Sequence, residues 1–220
     1  KALIANLINN TRTVLNVPVP GPFKTPVWID DHTIILRCID TITYNAAFYK
    51  IDLFAGISEV EKNLSKPLGD AGFTQDGLLR QDNLSGDLCY MEFYTNSITI
   101  FDTCLQKLDI KSHTIDTVTV AGMRIRTSAT NITHSEPPKV INGLSAVNDG
   151  RLFVRSYLKA DNDMGLSGVV PIDRYNLIKG NYEGTYYLTD VDRKRLTSFE
   201  VKDETMYCLF ENKIIKMTIK

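Results

Sequence analysis

Four segments of the chain repeat one layout, and this repetition constrains the fold more than any other feature of the sequence. Each segment has a polar turn, a strand with alternating apolar residues, a loop and a returning strand. The segments cover residues 30–53, 85–102, 148–175 and 202–219, and their turns begin about 55, 63 and 54 positions apart. β-Branched and aromatic residues, with Gly, Asn and Asp at the turns, are typical of antiparallel hairpins.

The alternation predicts individual strands within these segments and at the start of the chain. The predicted strands are residues 2–7, 13–17, 33–38, 47–53, 88–94, 97–102, 104–111, 151–158, 168–175, 205–210 and 213–219. Only residues 57–64 have helical spacing, with Ile57, Val60 and Leu64 on one face. That segment predicts a helix of about two turns, which is marginal in isolation.

Repeated small antiparallel sheets predict an all-β fold, and the slow period favours a β-propeller over a two-sheet sandwich or jelly roll. The repeats indicate about four to five blades in a single domain spanning residues 1–220. The N-terminal hairpin precedes the first repeat, and in a closed ring such a terminal strand completes the blade at the other end. Closure would hide edge strands. The chain begins at Lys1 without Met, which we interpret as a processed form or a fragment.

Charge and hydropathy exclude two classes of protein. The 25 basic and 26 acidic residues give a net charge of −1, whereas a nucleic-acid-binding domain is usually strongly basic. No apolar run approaches the roughly 18–20 residues needed to span a membrane, so we expect no integral membrane segment. No signal peptide is visible at the N-terminus.

Three parts of the chain resemble a known family. Residues 87–102 (DLCYMEFYTNSITIFD) look like one blade of the six-bladed β-propeller proteins of Bacteroidetes, which are TolB-like or NHL-like envelope proteins. Residues 113–117 (HTIDT) resemble their inter-blade linker, and residues 184–190 (GTYYLTD) through 207–210 (YCLF) resemble their final blade. The resemblance implies a six-bladed ring, of which this chain would be a part, and a periplasmic or outer-membrane-associated location. Most members of the family have no assigned activity.

One predicted strand has the composition of a binding face. In residues 151–158, alternation places Arg151, Phe153, Arg155 and Tyr157 on one side. Two guanidinium groups and two aromatic rings can bind an anion or stack on a sugar or a carboxylate-bearing ligand. The alternative is that the arginines are solvated or pair with acids of a neighbouring blade. We expect Arg151 to be paired, and Arg155 to be exposed with Tyr157. The candidate ligand-binding residues are Arg124, Arg126, Arg155 and Tyr157.

The clusters of residues that could ligate a metal are weak evidence for a metal site. Asp30, Asp31 and His32 could form a metal or general-base site, but Asp is also favoured in β-turns. Residues 161–165 (DNDMG) and the Asp190 and Asp192 pair are calcium-like only in part, because they lack the full loop pattern. We therefore expect no metal or cofactor.

The four cysteines have neither metal-ligand spacing nor the density of a disulfide framework. Cys38, Cys89 and Cys208 lie within strand patterns, beside apolar neighbours. They are predicted to be buried free thiols, and Cys104 to be a free thiol as well.

The chain has no nucleophile elbow, dinucleotide fingerprint or phosphate loop. This favours a non-catalytic propeller that binds a ligand or protein, or acts as a scaffold, in the bacterial cell envelope. Its partner would be a protein or a small anionic or carbohydrate ligand. Two alternatives remain. A propeller enzyme acting on a carbohydrate or a lactone would draw one residue from each blade and leave no local motif. The chain could also be a structural piece of a larger protein.

Overall fold

The computed structural model consists of strands and turns. It describes residues 2–6, 11–15, 19, 21–24, 26–61, 63–65, 68, 70–119, 121, 125–127, 132–134, 136, 139–158, 168–189, 191 and 194–219. The described chain divides into two compact units. One unit is Lys1–Gly72 with Thr103–Leu105, and the other is Phe73–Asp102 with Gln106–Lys220. A single domain over residues 1–220 stays a prediction.

The first unit contains one hairpin and one four-stranded sheet. The hairpin pairs β1 (Ala2–Asn6) with β2 (Thr11–Leu15). Sheet I is an antiparallel meander of β3 (Val27–Trp28), β4 (Thr33–Ile39), β5 (Ala46–Asp52) and β6 (Gly56–Glu61). The hairpin forms its own sheet and completes none of the others that the structure describes. Its role in closing a ring stays a prediction.

The predicted helix at residues 57–64 is wrong, because most of this segment is strand β6. A β-bulge explains the helix-like spacing. Ile57 lies opposite Ile51 and Val60 opposite Tyr49, with one extra residue, Ser58, between the paired positions. The extra residue shifts the phase of the alternation, so Ile57 and Val60 share a face although they are three positions apart. The same spacing therefore fits a bulged strand and a helix.

The second unit contains three larger sheets and a short ribbon. Sheet II consists of β7 (Gly77–Gln81), β8 (Leu88–Glu92), β9 (Ser97–Phe101) and β10 (Ser112–His113), and the ribbon pairs β11 (Ile125–Thr127) with β12 (Ile132–His134). Sheet III consists of β13 (Asn142–Asn148), β14 (Arg151–Ser156), β15 (Val169–Asn176) and β16 (Asn181–Thr189). Sheet IV consists of β17 (Leu196–Lys202), β18 (Thr205–Phe210) and β19 (Lys213–Thr218). In each of these sheets, strands adjacent in sequence are hydrogen-bonded neighbours.

Sheet III packs against a neighbouring sheet on each face, and this decides how the second unit packs. On one face, Leu152 and Val154 of β14 and Tyr175 of β15 join a cluster with Cys89 and Met91 of sheet II. On the other face, Phe153, Ile172 and Leu188 join a cluster with apolar residues of sheet IV, including Phe199, Met206 and Phe210. Consecutive residues 152–154 of β14 thus enter two different cores. Burying each such side chain contributes about 1.5–3 kcal/mol.

Hydrogen bonds between hairpin turns align sheets II, III and IV. The Asp82 carboxylate, at the turn after β7, accepts the Gly150 amide of the turn after β13 at 2.8 Å. Beside it, the Asn83 side-chain oxygen accepts the Asp149 amide at 2.8 Å, and its amide nitrogen donates to the Asp149 carboxylate at 3.1 Å. Asn148 reaches the Asp203 carbonyl of the next turn at 3.5 Å. Equivalent turns of sheets II, III and IV therefore lie side by side.

The first strands of sheets II, III and IV lie side by side in the same order as the turns. Strand β13 packs against β7 on one side and β17 on the other. Arg80 of β7 extends across this junction and donates to the Ser145 carbonyl of β13 at 2.9 Å. Burial lowers the pKa of Arg80, and the nearby Glu200 of β17 partly offsets this. Sheets II, III and IV are therefore joined at their first strands as well as at their turns.

The structure confirms an all-β chain built of several small antiparallel sheets. The predicted strand 205–210 is β18, and seven other predicted strands overlap β1, β2, β4, β5, β8, β9 and β14. Residues 168–175 and 213–219 likewise become β15 and β19, one residue shifted or shortened. The predicted strand 104–111 is wrong. Asp102 and Gln106 bond to each other across a turn there, and β10 begins only at Ser112.

We predict that Asp82→Ala lowers the free energy of unfolding by about 2–3 kcal/mol, because it leaves the buried Gly150 amide without an acceptor. Asp82 also accepts the amide and hydroxyl of Ser85. Chemical denaturation followed by circular dichroism measures the change. The control is Asp87→Ala in the same turn, since no described group bonds to that side chain. Equal effects of the two substitutions would contradict the role given to the Asp82 bond between sheets.

Candidate functional site

The predicted binding face on β14 is divided by the packing of sheet IV. Phe153 is only 2% exposed and belongs to the core between sheets III and IV, so it is not available to a ligand. Arg151, at the start of the strand, is exposed, and Arg155, near its end, is half-buried. The four side chains therefore do not form one continuous surface. Alternation assigns a face correctly, but it does not reveal whether a neighbouring sheet covers that face.

The structure does bring Arg155 and Tyr157 together. The guanidinium carbon of Arg155 lies 4.4 Å from the centre of the Tyr157 ring, which is a cation–π contact. One guanidinium nitrogen donates to the Leu196 carbonyl at 3.2 Å. Tyr157 is 41% exposed, and its backbone amide donates to the Ile141 carbonyl at 2.8 Å. A half-buried cation is thus held against an accessible aromatic ring.

Gly143 makes room for this ring. A Cβ atom at position 143 would lie 2.3 Å from the Tyr157 ring, closer than any real contact. The ring therefore packs directly on the backbone of β13. The position of Tyr157 depends on a residue fourteen positions earlier, and the sequence of β14 by itself carries no sign of this.

The arginines of sheet III differ in how their charge is balanced. Arg151 and Arg174 both pair with the Glu183 carboxylate, each at 3.1 Å. Asn176 donates to the other Glu183 oxygen at 3.0 Å. The pKa of Glu183 is lowered, first by the Asn176 hydrogen bond and then by Arg151. Within the described residues, by contrast, no carboxylate pairs with Arg155. Arg151 is paired as expected, although its partner belongs to the same sheet.

The other two candidate residues lie elsewhere or outside the described residues. Arg126 is exposed on β11 of the ribbon, where it is opposite Thr133 of β12. No contact in the described part of the chain joins it to Arg155 or Tyr157. Arg124 lies outside the described residues. The assignment of these two arginines to a ligand site stays a prediction.

Sheet III contains a buried polar cluster that no sequence motif indicated. Asp173 of β15 is 5% exposed and accepts the Thr185 hydroxyl at 2.5 Å and the Tyr175 hydroxyl at 3.4 Å. The Tyr182 hydroxyl bonds to Thr185 at 2.6 Å. Burial raises the pKa of Asp173, and the nearby Asp116 raises it further. The neutral form of this carboxyl is therefore favoured over a wider pH range than in water.

This cluster fastens the segment after β10 to sheet III. The Ile115 amide donates to the Tyr175 hydroxyl at 3.2 Å. Asp116 accepts the Thr114 hydroxyl and, at 2.8 Å, the Val118 amide. The members lie about 60 positions apart, so only folding brings them together. Because they bond to one another, we assign the cluster to holding the sheets in register.

Of the candidate metal clusters, Asp30, Asp31 and His32 lie within the described residues. Among the residues that the structure describes, no three His, Cys, Asp or Glu side chains group as metal ligands do. Asp30 accepts the amides of His32 and Thr33 at 2.9 and 2.7 Å, which is the turn chemistry of the alternative interpretation. The ring of His32 lies 3.4 Å from Asp30 and 3.6 Å from Asp52. Residues 161–165, Asp190 and Asp192 fall outside the described residues.

The structure confirms the prediction for the cysteines. All four are free, and Cys38, Cys89 and Cys208 are buried whereas Cys104 is exposed. Burial raises the pKa of Cys89 to about 12 and that of Cys208 to about 11. It also raises the pKa of Cys38. These thiols therefore act as small apolar side chains of the cores.

No protein-family model matches the chain, and no curated protein matches it. None of the described residues forms a helix long and apolar enough to cross a membrane.

We predict that iodoacetamide labels only Cys104 in the native protein, because alkylation requires an accessible thiolate. Denaturation without a reductant should raise the count to all four cysteines. Mass spectrometry measures both counts. Two missing labels after denaturation would show a disulfide, and rapid native labelling of Cys89 would contradict its burial.

We predict that Glu183→Gln lowers the free energy of unfolding by about 0.5–1 kcal/mol near neutral pH. The folded pKa is depressed, so this contribution is present above the unfolded pKa of about 4.3 and is lost as the pH falls through the folded value. Thermal unfolding across pH should therefore show the two proteins converging in acid. Glu204→Gln, at an exposed glutamate in the turn between β17 and β18, is the control. A difference that persists unchanged at low pH would argue against the charge as its cause.

Proposed function

We propose that the chain is a non-catalytic ligand- or protein-binding β-propeller, or part of one, and that Arg155 with Tyr157 forms its small-anion site. The supporting observation is the half-buried Arg155 guanidinium, which has no carboxylate partner among the described residues and rests on an exposed ring. A cation held partly out of water without a counter-charge attracts an anion from solution.

The chemistry of the pair indicates the class of ligand. A guanidinium group can offer two parallel N–H donors to one carboxylate, and one nitrogen of Arg155 is already used by Leu196. The Tyr157 ring offers an apolar face beside this charge. A small ligand with a carboxylate next to a flat apolar group or sugar ring satisfies both features. A uronic acid and an aromatic carboxylate are the simplest examples.

The propeller part of the proposal is supported by the stacking of sheets II, III and IV. Each is a small meander, and the turns and first strands of successive sheets lie side by side. Further sheets added in the same way would lead to a ring, with four to five blades in this chain or six in a larger assembly. A periplasmic or outer-membrane-associated location is supported only by the family resemblance. Fractionation of the source cells would overturn it by finding the protein in the cytosol.

We predict that Arg155→Ala weakens binding of glucuronate or benzoate by about tenfold or more. Stability should fall by no more than about 2 kcal/mol, because one ordinary hydrogen bond and one cation–π contact to an exposed ring are lost. Isothermal titration calorimetry and thermal unfolding measure the two quantities. Arg155→Lys, which keeps the charge but not the planar fork, should retain only part of the affinity.

The matched control is Arg151→Ala on the same strand, whose guanidinium group already pairs with Glu183. It should leave ligand affinity unchanged. Arg126→Ala tests in the same way whether the ribbon belongs to the site. Absence of glucuronate and benzoate binding to the unsubstituted protein, or a large loss of stability in Arg155→Ala, would overturn the proposed anion site.

A further inference from the structure

Sheet IV has one strand fewer than sheets I, II and III in the described part of the chain. Its last strand, β19, pairs with β18 along its whole length, from Lys213 opposite Phe210 to Thr218 opposite Thr205. No described strand pairs with the other edge of β19. This edge is a row of backbone groups that can accept a further strand.

The turn before β19 identifies those backbone groups. Glu211 and Asn212 form a two-residue turn, with Glu211 at φ 49°. In such a hairpin the flanking residues, here Phe210 and Lys213, exchange hydrogen bonds, and the bonded positions then alternate. The N–H and C=O groups of Ile214, Lys216 and Thr218 therefore point to the open edge. The β18–β19 register has no bulge, so the edge is regular.

Side chains on the two faces of β19 differ. Ile215 and Met217 pack at the border of the core between sheets III and IV and are only partly buried. On the opposite face, Lys216 and Thr218 are exposed, and Ile214 is 74% exposed. A strand beside β19 would cover the core border with apolar side chains on one face. On its other face, acidic side chains would lie next to Lys216.

We propose that the edge of β19 is a docking site for an extended acidic segment of a partner protein, which adds to sheet IV as a fourth, antiparallel strand. Main-chain hydrogen bonds would supply affinity, and alternating apolar and acidic side chains would supply specificity. The positive charge of Lys216 argues against a second copy of this chain as the occupant. The antiparallel register that overlaps all three outward-facing residues places Lys216 opposite Lys216 of the other copy, and like charges in that position repel.

The probe is a synthetic peptide, Ser-Val-Glu-Val-Glu-Val-Ser, and its control replaces both glutamates with lysine. Amide hydrogen exchange of the full chain is followed by NMR with each peptide. The acidic peptide should slow exchange at Ile214, Lys216 and Thr218, and the lysine peptide should not. Lys216→Pro removes an outward N–H without breaking the bonds to β18, and it should abolish this protection.

Lys216→Glu keeps every backbone donor and should reverse the preference between the two peptides by about tenfold. Lys202→Glu makes the same charge change on β17 of the same sheet and should have no effect. Binding of the acidic peptide without protection of the three amides would overturn the proposal, as would an unchanged preference in Lys216→Glu. Protection that rises with protein concentration in the absence of peptide would instead identify a second copy as the occupant.

Discussion

The packing of sheet III against two neighbours is the constraint on which the rest of the second unit depends. A four-stranded sheet of this size is too small to enclose a core of its own. Burying Leu152 and Val154 on one side and Phe153 on the other makes one strand contribute to two cores. Loss of either neighbour would expose a large apolar face. The sheets of this unit are therefore stable as a stack rather than one by one.

Apolar packing alone does not fix how stacked sheets align, because the hydrophobic effect is not directional. Buried polar bonds supply the alignment. Asp82 and Gly150 join two turns at one end of sheets II and III, and Tyr175 with Ile115 joins the segment after β10 to sheet III. Each bond is costly to leave unmade in a low-dielectric interior. A sliding of one sheet past the next would break several of them together, so these bonds select a single arrangement.

The same sheet separates structural arginines from a candidate functional one. Arg151 and Arg174 share the single carboxylate of Glu183, which also accepts a hydrogen bond from Asn176. Arg155 lies on the same strand as Arg151 but is stacked on Tyr157 and bonded only to a neutral carbonyl among the described residues. The contrast links the packing of the fold to its proposed function. Of these three arginines, Arg155 has no carboxylate beside it among the described residues, and this is the basis of the proposed anion site.

The sequence by itself determined the turns and the strands that follow them, because Asp, Asn and Gly at fixed positions and period-two alternation are local signals. It did not reveal β13, whose Asn, Gly, Ser and Ala residues have weak strand preference. It also mistook bulged β6 for a helix, since one inserted residue changes the phase. Only the tertiary structure decided that Phe153 is core, that Tyr157 rests on Gly143, and that Asp173 meets Tyr175 near Asp116. The physical reason is that burial and charge pairing depend on neighbours distant in the chain, which no local pattern encodes.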